Sequence, residues 1–332
     1  MQEEKRKLSK AKKRAIIVAA ISCVIALALI ITNLFIPVKY ISSYTVSGKN
    51  RAAAGVMRVR FVDVGYGDCT IVELPDGKNM LIDGGDGGSK NTARILKYLN
   101  KSSIKTIDYL ICTSVNAEHC GGLSELIQYK KVKRIYMPYC TNTYVTDEYR
   151  SFVSSANASG AEIMICEYAN GVENAEYGYY FTFLAPSVHT APDGEYENLN
   201  SNPSSVQTRN DASAVVWLEY SGTNFLIAGD ATDTALNRIC NSYHVIPDYI
   251  VNLDDCDVIK MPNHGNSDSA CLELYELTEP EYAVLSVDKN GQGCPSLEAI
   301  SNAVAYVGEN LFRTDENGTV TFEVTKDGYS IV

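Results

Sequence analysis

Paired cysteines are missing from this sequence. Its ten cysteines are scattered singly, without a C-x-x-C pair, so a disulfide framework is only weakly indicated. Cys23 lies in an apolar N-terminal stretch and is set apart from the other nine. Because nine is an odd number, at least one of these cysteines is free or pairs between chains. Cys69, Cys112 and Cys166 fall in apolar strand patterns, where a buried thiol that packs as a small hydrophobic side chain is expected.

A basic surface is also missing from most of the chain. Seven of the 29 basic and two of the 40 acidic residues lie in the first fourteen positions, which leaves 22 and 38 and a formal charge of −16 for the rest. Such a charge repels phosphates at long range. It disfavours non-specific nucleic-acid binding as the main activity, although a local basic groove remains compatible with it.

Residues 15–37 lack any charged side chain. About twenty apolar residues in a helix, at ~1.5 Å each, cross a hydrocarbon core of about 30 Å. No small-residue cleavage site follows, which favours an uncleaved anchor over the alternative, a cleaved signal peptide. Basic residues before the span place the N-terminus in the cytoplasm. We therefore expect a single-pass protein of the cell membrane, with a basic cytoplasmic segment 1–14, a transmembrane anchor 15–37, a linker 38–55 and an extracytoplasmic domain 56–332.

The part beyond the linker is long enough for one large α/β domain with a sizeable core. Strand and helix patterns alternate in two β-rich halves, which indicates two sheets packed face to face with helices outside. Between the halves, Ser187 to Asp211 is rich in Pro, Asn, Ser and Gly. We expect this stretch to be either a mobile loop beside the site or a partly disordered insertion.

The most informative stretch is T-S-V-N-A-E-H-C-G-G, from Thr113 to Gly122. It follows an apolar strand pattern, and side chains at spacings of two, two and one after a strand point into one pocket, as in metal-binding loops. It resembles the T-H-x-H-x-D-H-x-G-G signature of the metallo-β-lactamase fold. Ser114 and Asn116 stand where that signature has histidines, Glu118 stands where it has aspartate, and His119 is unchanged.

Further motifs resemble the extracytoplasmic metallo-β-lactamase-type domain of the ComEC competence-protein family. They occur in the family's order: F-V-D-V-G-Y-G-D-C (61–69), L-I-D-G-G (81–85), N-D-A-S (210–213) with L-E-Y (218–220) and F-L-I-A-G-D (225–230), I-K-M-P-N-H-G-N (259–266) and F-R-T-D-E-N-G (312–318). The resemblance covers Val59 to Val332. It implies an α/β fold of the metallo-β-lactamase type, an αββα four-layer sandwich preceded by the transmembrane helix.

The resemblance also implies two metal positions, and the sequence retains donors for one. At the first position the replacements are a neutral hydroxyl and a neutral amide, which are poor ligands for a transition metal. The second position keeps two carboxylates and two imidazoles: Glu118, His119, Asp230 and His264. Whether Asn263 or His264 matches the family's ligand stays open at this point, and Cys120 is either a further donor or a core side chain.

For two carboxylates at strand ends the resemblance implies roles: Asp83 would brace the loops and Asp230 would bridge metals. A turn-capping aspartate without a direct functional role is an equally open interpretation of Asp83. Glu118 is one methylene longer than the aspartate of the signature, which displaces its carboxylate by roughly 1.5 Å, whereas such sites tolerate about 0.5 Å. We therefore expect as cofactor one divalent metal ion, zinc or manganese, or none.

Two functions of different class follow. The first is a one-metal hydrolase of phosphodiester or related bonds, in which Asp230 is a ligand and Glu118 a ligand or general base. The second is a catalytically inactive pseudoenzyme that binds a cell-surface ligand or partner. The resemblance favours the hydrolase, and the lost histidines and acidic surface favour binding.

Overall fold

The computed structural model describes residues 10–35, 38–44, 50–141, 145–242, 244–246, 249–289, 291 and 293–332. The strands in these ranges are β1 (Met57–Phe61), β2 (Thr70–Glu73), β3 (Asn79–Ile82), β4 (Thr106–Ile111), β5 (Lys131–Met137), β6 (Glu162–Ile165), β7 (Gly171–Asn174), β8 (Tyr179–Ala185), β9 (Val215–Tyr220), β10 (Thr223–Ile227), β11 (His244–Ile246), β12 (Tyr249–Val251), β13 (Val258–Lys260), β14 (Tyr282–Leu285), β15 (Leu311–Arg313), β16 (Val320–Thr325) and β17 (Gly328–Ile331). The α-helices are α1 (Lys10–Phe35), α2 (Ile41–Tyr44), α3 (Ser89–Lys101), α4 (Ala117–Cys120), α5 (Leu123–Tyr129), α6 (Asp147–Ala158), α7 (Glu195–Ser201), α8 (Val206–Asp211), α9 (Asp233–Cys240), α10 (Leu272–Thr278), α11 (Leu297–Val307) and α12 (Thr314–Asn317).

The strands form two large sheets and a small hairpin. The first sheet has the order β17-β16-β1-β2-β3-β4-β5-β6, the second has the order β15-β14-β13-β10-β9-β8-β7, and β11 pairs with β12. One half of each large sheet is parallel: β3 to β6 in the first, and β10, β13, β14 and β15 in the second. Parallel strands place their carboxyl ends at one edge, where ligands bind in α/β sheets. The loops after β3, β4, β10 and β13 therefore carry the candidate site.

Three buried clusters separate four layers. Aromatic side chains of both sheets meet between them, among them Phe322 and Phe225, whose ring centroids lie 5.8 Å apart. The outer face of the first sheet is covered by α3, α5, α6 and α7, and that of the second by α9, α10 and α11. Burial of apolar surface on both faces of each sheet stabilises this arrangement. The expected αββα sandwich is confirmed.

Residue spacing explains how these layers face one another. Helix α3 buries Thr92, Ile95, Leu96 and Leu99, which follow the i, i+3, i+4, i+7 spacing of an amphipathic helix. Strands β2 and β3 are buried at every position, because they lie between the helical layer and the second sheet.

The N-terminal helix is long and apolar enough to cross a membrane over Lys12–Ile31, a test that signal sequences also pass. After it, residues 38–44 pack on the domain. Tyr40 is fully buried and its hydroxyl bonds to Glu125, and Ser43 Oγ donates to the backbone carbonyl of Ala93 at 2.8 Å. This differs from the linker expected for 38–55, because the buried tyrosine ring makes its first part a piece of the domain. Residues 1–9, 36–37 and 45–49 lie outside the described residues.

The irregular loop expected between Ser187 and Asp211 contains two helices, α7 and α8, so the expectation of a mobile or disordered stretch is corrected. Helix α7 buries Tyr196 and Leu199, three residues apart, in the core outside the first sheet. Ser205 caps α8 by accepting a hydrogen bond from the Thr208 backbone nitrogen. These few buried and capping residues, which are separated by polar ones, hold α8 beside the site.

Candidate metal centre

Asp83 fixes the loop that follows β4. It adopts a left-handed conformation with φ 59°. Its carboxylate accepts hydrogen bonds from the Thr113 backbone nitrogen at 2.7 Å and from Thr113 Oγ1 at 2.6 Å. His119 Nδ1 lies 2.8 Å from Asp83 Oδ2. A carboxylate at Nδ1 places the proton there and leaves Nε2 as the free donor atom, a common arrangement at metal-binding histidines. The bracing role expected for Asp83 is seen here.

His264 is held in the same way from the second sheet. It lies in a turn where both Asn263 and His264 adopt positive φ, 42° and 52°, and its Nδ1 lies 2.9 Å from the Ser286 carbonyl oxygen. That carbonyl accepts the Nδ1 proton, so Nε2 is again free. Asn263 turns away and donates to Asp268 Oδ1 at 2.8 Å. Of the two neighbours, His264 is therefore the one placed as a ligand.

Three donor atoms converge at the centre of the site. His119 Nε2, His264 Nε2 and Asp230 Oδ1 lie within 4.8 Å of one another, and all three residues are fully buried. Asp230 Oδ1 is 2.8 Å from His119 Nε2, at hydrogen-bond distance, and 3.7 Å from His264 Nε2. Apart from this contact between His119 and Asp230, none of the three atoms has a hydrogen-bond partner among the described residues. Buried polar atoms without partners are costly. A single divalent cation fits this donor set.

The charges around the cluster favour a cation there. Burial alone would lower the pKa of His119, but Asp230 and Asp83 outweigh it and raise this pKa well above its usual value. Burial likewise opposes ionisation of Asp230, but His119 and His264 hold its pKa below the usual range. A buried carboxylate that stays ionised between two imidazoles is a strong site for a positive charge.

Glu118 lies outside this group of three, so the structure does not bring together all four expected ligands. The residue is half-buried on α4. Burial first and the Glu118 charge second raise the pKa of the Tyr66 phenol, and the Tyr66 ring contacts His264 with centroids 4.6 Å apart. Glu118 is thus at the rim of the site. Cys120 is a core side chain, with its Sγ 3.8 Å from the Val115 carbonyl oxygen.

A buried ion pair beneath the histidines was not found by sequence reasoning. Lys260, on β13, pairs with Asp68. Asp68 Oδ1 lies 3.6 Å from His264 Nδ1. Burial alone would raise the pKa of Asp68, but Lys260, His264 and His119 lower it. Gly67 permits the close approach, because a Cβ there would lie 2.5 Å from the Glu118 carbonyl oxygen. Both charges lie within motifs of the resemblance, the G-D of 67–68 and the K of I-K-M-P, which is the signal that could have identified them.

The first metal position of the resemblance is filled by protein. Asn116 Nδ2 donates at 2.8 Å to both Asn210 Oδ1 and Asp230 Oδ2, and Asn116 Oδ1 accepts from Arg209 Nε at 2.7 Å. Ser114 Oγ accepts from the Asn116 backbone nitrogen at 3.3 Å. The donors and acceptors that face this position are bonded to each other, so the residues present do not fit a first metal ion.

Comparison with known proteins supports the same fold along most of the chain. A model of the Metallo-beta-lactamase superfamily matches residues 62–284. ComE operon protein 3 of Bacillus subtilis (strain 168) is 23% identical over 279 residues, which are 80% of this chain and 32% of that protein, so the chain spans about a third of its relative's length.

Solved structures with similar folds include the metallo-beta-lactamase fold protein YhfI from Bacillus subtilis, with a TM-score of 0.48, 9% identity and coverage of 80% of this chain and 99% of that one. A mutant of the CmlA beta-hydroxylase has a TM-score of 0.46 and 13% identity, with coverage of 80% and 53%.

Proposed function

Because the chain belongs to the metallo-β-lactamase superfamily, we propose that it is a membrane-anchored, extracytoplasmic hydrolase that uses one divalent metal ion to cleave a phosphodiester or related bond. The similarity to ComE operon protein 3 bears out the ComEC-like resemblance of the motifs. The observation that carries the proposal is the convergence of three buried donor atoms, from His119, Asp230 and His264, whose one contact at hydrogen-bond distance among the described residues is with one another. The apolar helix over Lys12–Ile31 supports the anchor, and the basic run before it supports the orientation.

The residues of the chain have separate tasks in this proposal. His119 and His264 present Nε2 because Asp83 and the Ser286 carbonyl oxygen hold their Nδ1 atoms. A zinc or manganese ion bound there would supply Lewis-acid polarisation of the ester oxygen and a more acidic water. Asp230 would offer Oδ1 to such an ion, since its Oδ2 is bonded to Asn116. We assign Glu118, at the rim, the role of proton acceptor rather than ligand.

The test is metal content together with hydrolysis, measured on the full-length chain in detergent. We expect close to one zinc or manganese ion per chain by elemental analysis after desalting, and metal-dependent hydrolysis of bis(nitrophenyl) phosphate. Asp230→Ala should lose both. Asp327→Ala, a matched change at an exposed turn, should lose neither. The proposal would be contradicted by hydrolysis that persists in Asp230→Ala. It would also be contradicted if the wild-type chain, incubated with excess metal and then desalted, retained no ion.

A pseudoenzyme remains the second candidate function, and the filled first metal position favours it. Enzymes with two metals stabilise both the attacking and the leaving oxygen, and the hydrogen bonds of Asn116 close one half of that arrangement. In this case the fold would be kept to bind a ligand or partner at the cell surface. A full-length chain that holds one metal ion but has no activity above that of Asp230→Ala would favour this function.

A further inference from the structure

Asn116 is locked in one orientation by three hydrogen bonds. A side-chain amide offers two N–H donors and one oxygen acceptor. The two donors are used by Asn210 Oδ1 and Asp230 Oδ2, and the oxygen faces Arg209 Nε. A flipped amide would set its oxygen against a carboxylate and its nitrogen against a guanidinium. The network therefore requires a donor at the Asn116 oxygen, and Arg209 Nε is that donor.

Arg209 is fixed without an acidic partner. Besides Asn116 it donates through Nη1 to the carbonyl oxygens of Pro203 and Ser204, each at 3.1 Å. Among the described residues, the two N–H groups on Nη2 have no partner and no carboxylate forms an ion pair with Arg209. In a chain whose residues beyond position 14 carry a formal charge of −16, a half-buried arginine that is held only by neutral oxygens keeps its full charge available.

We propose that Arg209 binds an anionic phosphoryl oxygen of the substrate beside the single metal position, so that its charge replaces that of the first metal ion. A guanidinium is always charged at neutral pH, and its planar donors match phosphate oxygens. This assigns a substrate class: phosphate esters with a negative charge at the reacting group, in preference to neutral esters or amides, which gain nothing from the cation. The inference rests on the proposed function for the reaction, but anion binding can be measured without it.

The test uses inorganic phosphate as the probe and isothermal titration calorimetry on the full-length chain in detergent, with manganese and after chelation. We expect Arg209→Gln to weaken phosphate binding by about tenfold or more, the size of one charged hydrogen bond, in both states and with unchanged metal content. Arg209→Lys, which keeps the charge, should retain most of the affinity. Arg134→Gln, which removes an arginine paired with Glu162 at the edge of the first sheet, should bind as the wild type does.

Hydrolysis supplies an independent comparison. Arg209→Gln should lower kcat/KM for bis(nitrophenyl) phosphate by about tenfold or more and leave any cleavage of the neutral nitrophenyl acetate unchanged. If Arg209→Gln does not fold, as judged by circular dichroism, Arg209→Met keeps the aliphatic stem and carries the same expectation.

Two outcomes overturn the inference: wild-type protein that binds no phosphate, and an uncharged variant that binds phosphate as tightly as the wild type. Failure of the proposed function gives a different pattern. Phosphate binding that depends on Arg209, without hydrolysis of any ester, would leave the inference standing and remove the hydrolase. Hydrolysis of the ester together with phosphate binding that does not change in Arg209→Gln would leave the hydrolase standing and remove the inference.

Discussion

Replacement of Lys260 by methionine should destabilise the protein strongly, because it isolates a buried charge. Lys260 is 1% exposed and Asp68, its partner, is 4% exposed. Methionine retains most of the aliphatic stem but removes the ammonium, so the Asp68 carboxylate loses its nearest positive charge while it stays buried. The loss of one partner from a buried ion pair costs about 3–5 kcal/mol. For a domain of this size, that lowers the melting temperature by roughly 5–15 °C.

The assay is thermal unfolding of the full-length chain in detergent, followed by near-ultraviolet circular dichroism in the presence of a chelator. Lys133→Met is the matched control, because Lys133 pairs with Asp108 at 2.8 Å but its side chain is 58% exposed. Exposed ion pairs contribute about 0–1 kcal/mol, so the control should melt close to the wild type. If the two lysine variants melt within about 2 °C of each other, the reasoning is refuted.

A double variant separates the lost charge from the lost packing. Asp68→Asn combined with Lys260→Met removes both charges, so no carboxylate is left without its partner. We expect it to recover about 1–3 kcal/mol relative to the sum of the single changes, as contacting residues do in double-mutant cycles. Because Asp68 also lies 3.6 Å from His264, the unfolding must be measured without metal, so that altered metal affinity does not enter the comparison.

Four further results are expected. The chain should bind at most one transition-metal ion by elemental analysis, and the combined change Ser114→His, Asn116→His and Glu118→Asp should raise the occupancy; two tightly bound ions in the wild type would contradict this. Because a charge of −16 beyond position 14 repels a polyanion and one half of the two-metal arrangement is missing, single- or double-stranded DNA should not be cleaved with manganese or zinc above the Asp230→Ala control in gel assays, even where a small phosphodiester is hydrolysed. Protease added to intact cells without outer barriers should remove the domain, and complete protection would reverse the orientation. In detergent, Tyr40→Ala should release residues 38–44 and speed tryptic cleavage there by about tenfold or more, because a buried aromatic side chain contributes roughly 3–5 kcal/mol; cleavage at the wild-type rate would contradict this.

The layers of the fold and the three converging donors could be predicted from the sequence for local reasons. Apolar strands with glycine-rich ends and helical spacing between them indicate an α/β sandwich. His119, Asp230 and His264 each follow a strand of a parallel half-sheet, and those strand ends share one edge. The same reasoning overestimated Glu118. Residues 118 and 119 are neighbours on one turn of α4 and point in different directions, so a histidine in the site places the glutamate at its rim.

The remaining parts of the site depend on contacts between distant residues. Lys260 and Asp68 are 192 residues apart, and Asn116 and Asn210 are 94 apart. No pattern within a helix or a strand shows such a pairing. Arg209 and Asn210 come from α8, within a polar stretch that was expected to be irregular, where two buried side chains three residues apart are a weak signal.

The two metal positions differ in a way that hydrogen bonding alone reveals. A simple loss of the histidines at 114 and 116 would leave Asp230 Oδ2 and Asn210 Oδ1 buried without partners, at a cost of about 1–3 kcal/mol for each atom. Asn116 instead bonds to both of them, and its own oxygen is bonded to Arg209. The first position is therefore rebuilt as a closed network. The second keeps three buried atoms, on His119, Asp230 and His264, whose one contact at hydrogen-bond distance among the described residues is that between His119 Nε2 and Asp230 Oδ1. Since buried polar atoms with too few partners are tolerated where a ligand completes them, the second position is the one that can receive a cation. These atoms lower the stability of the metal-free protein.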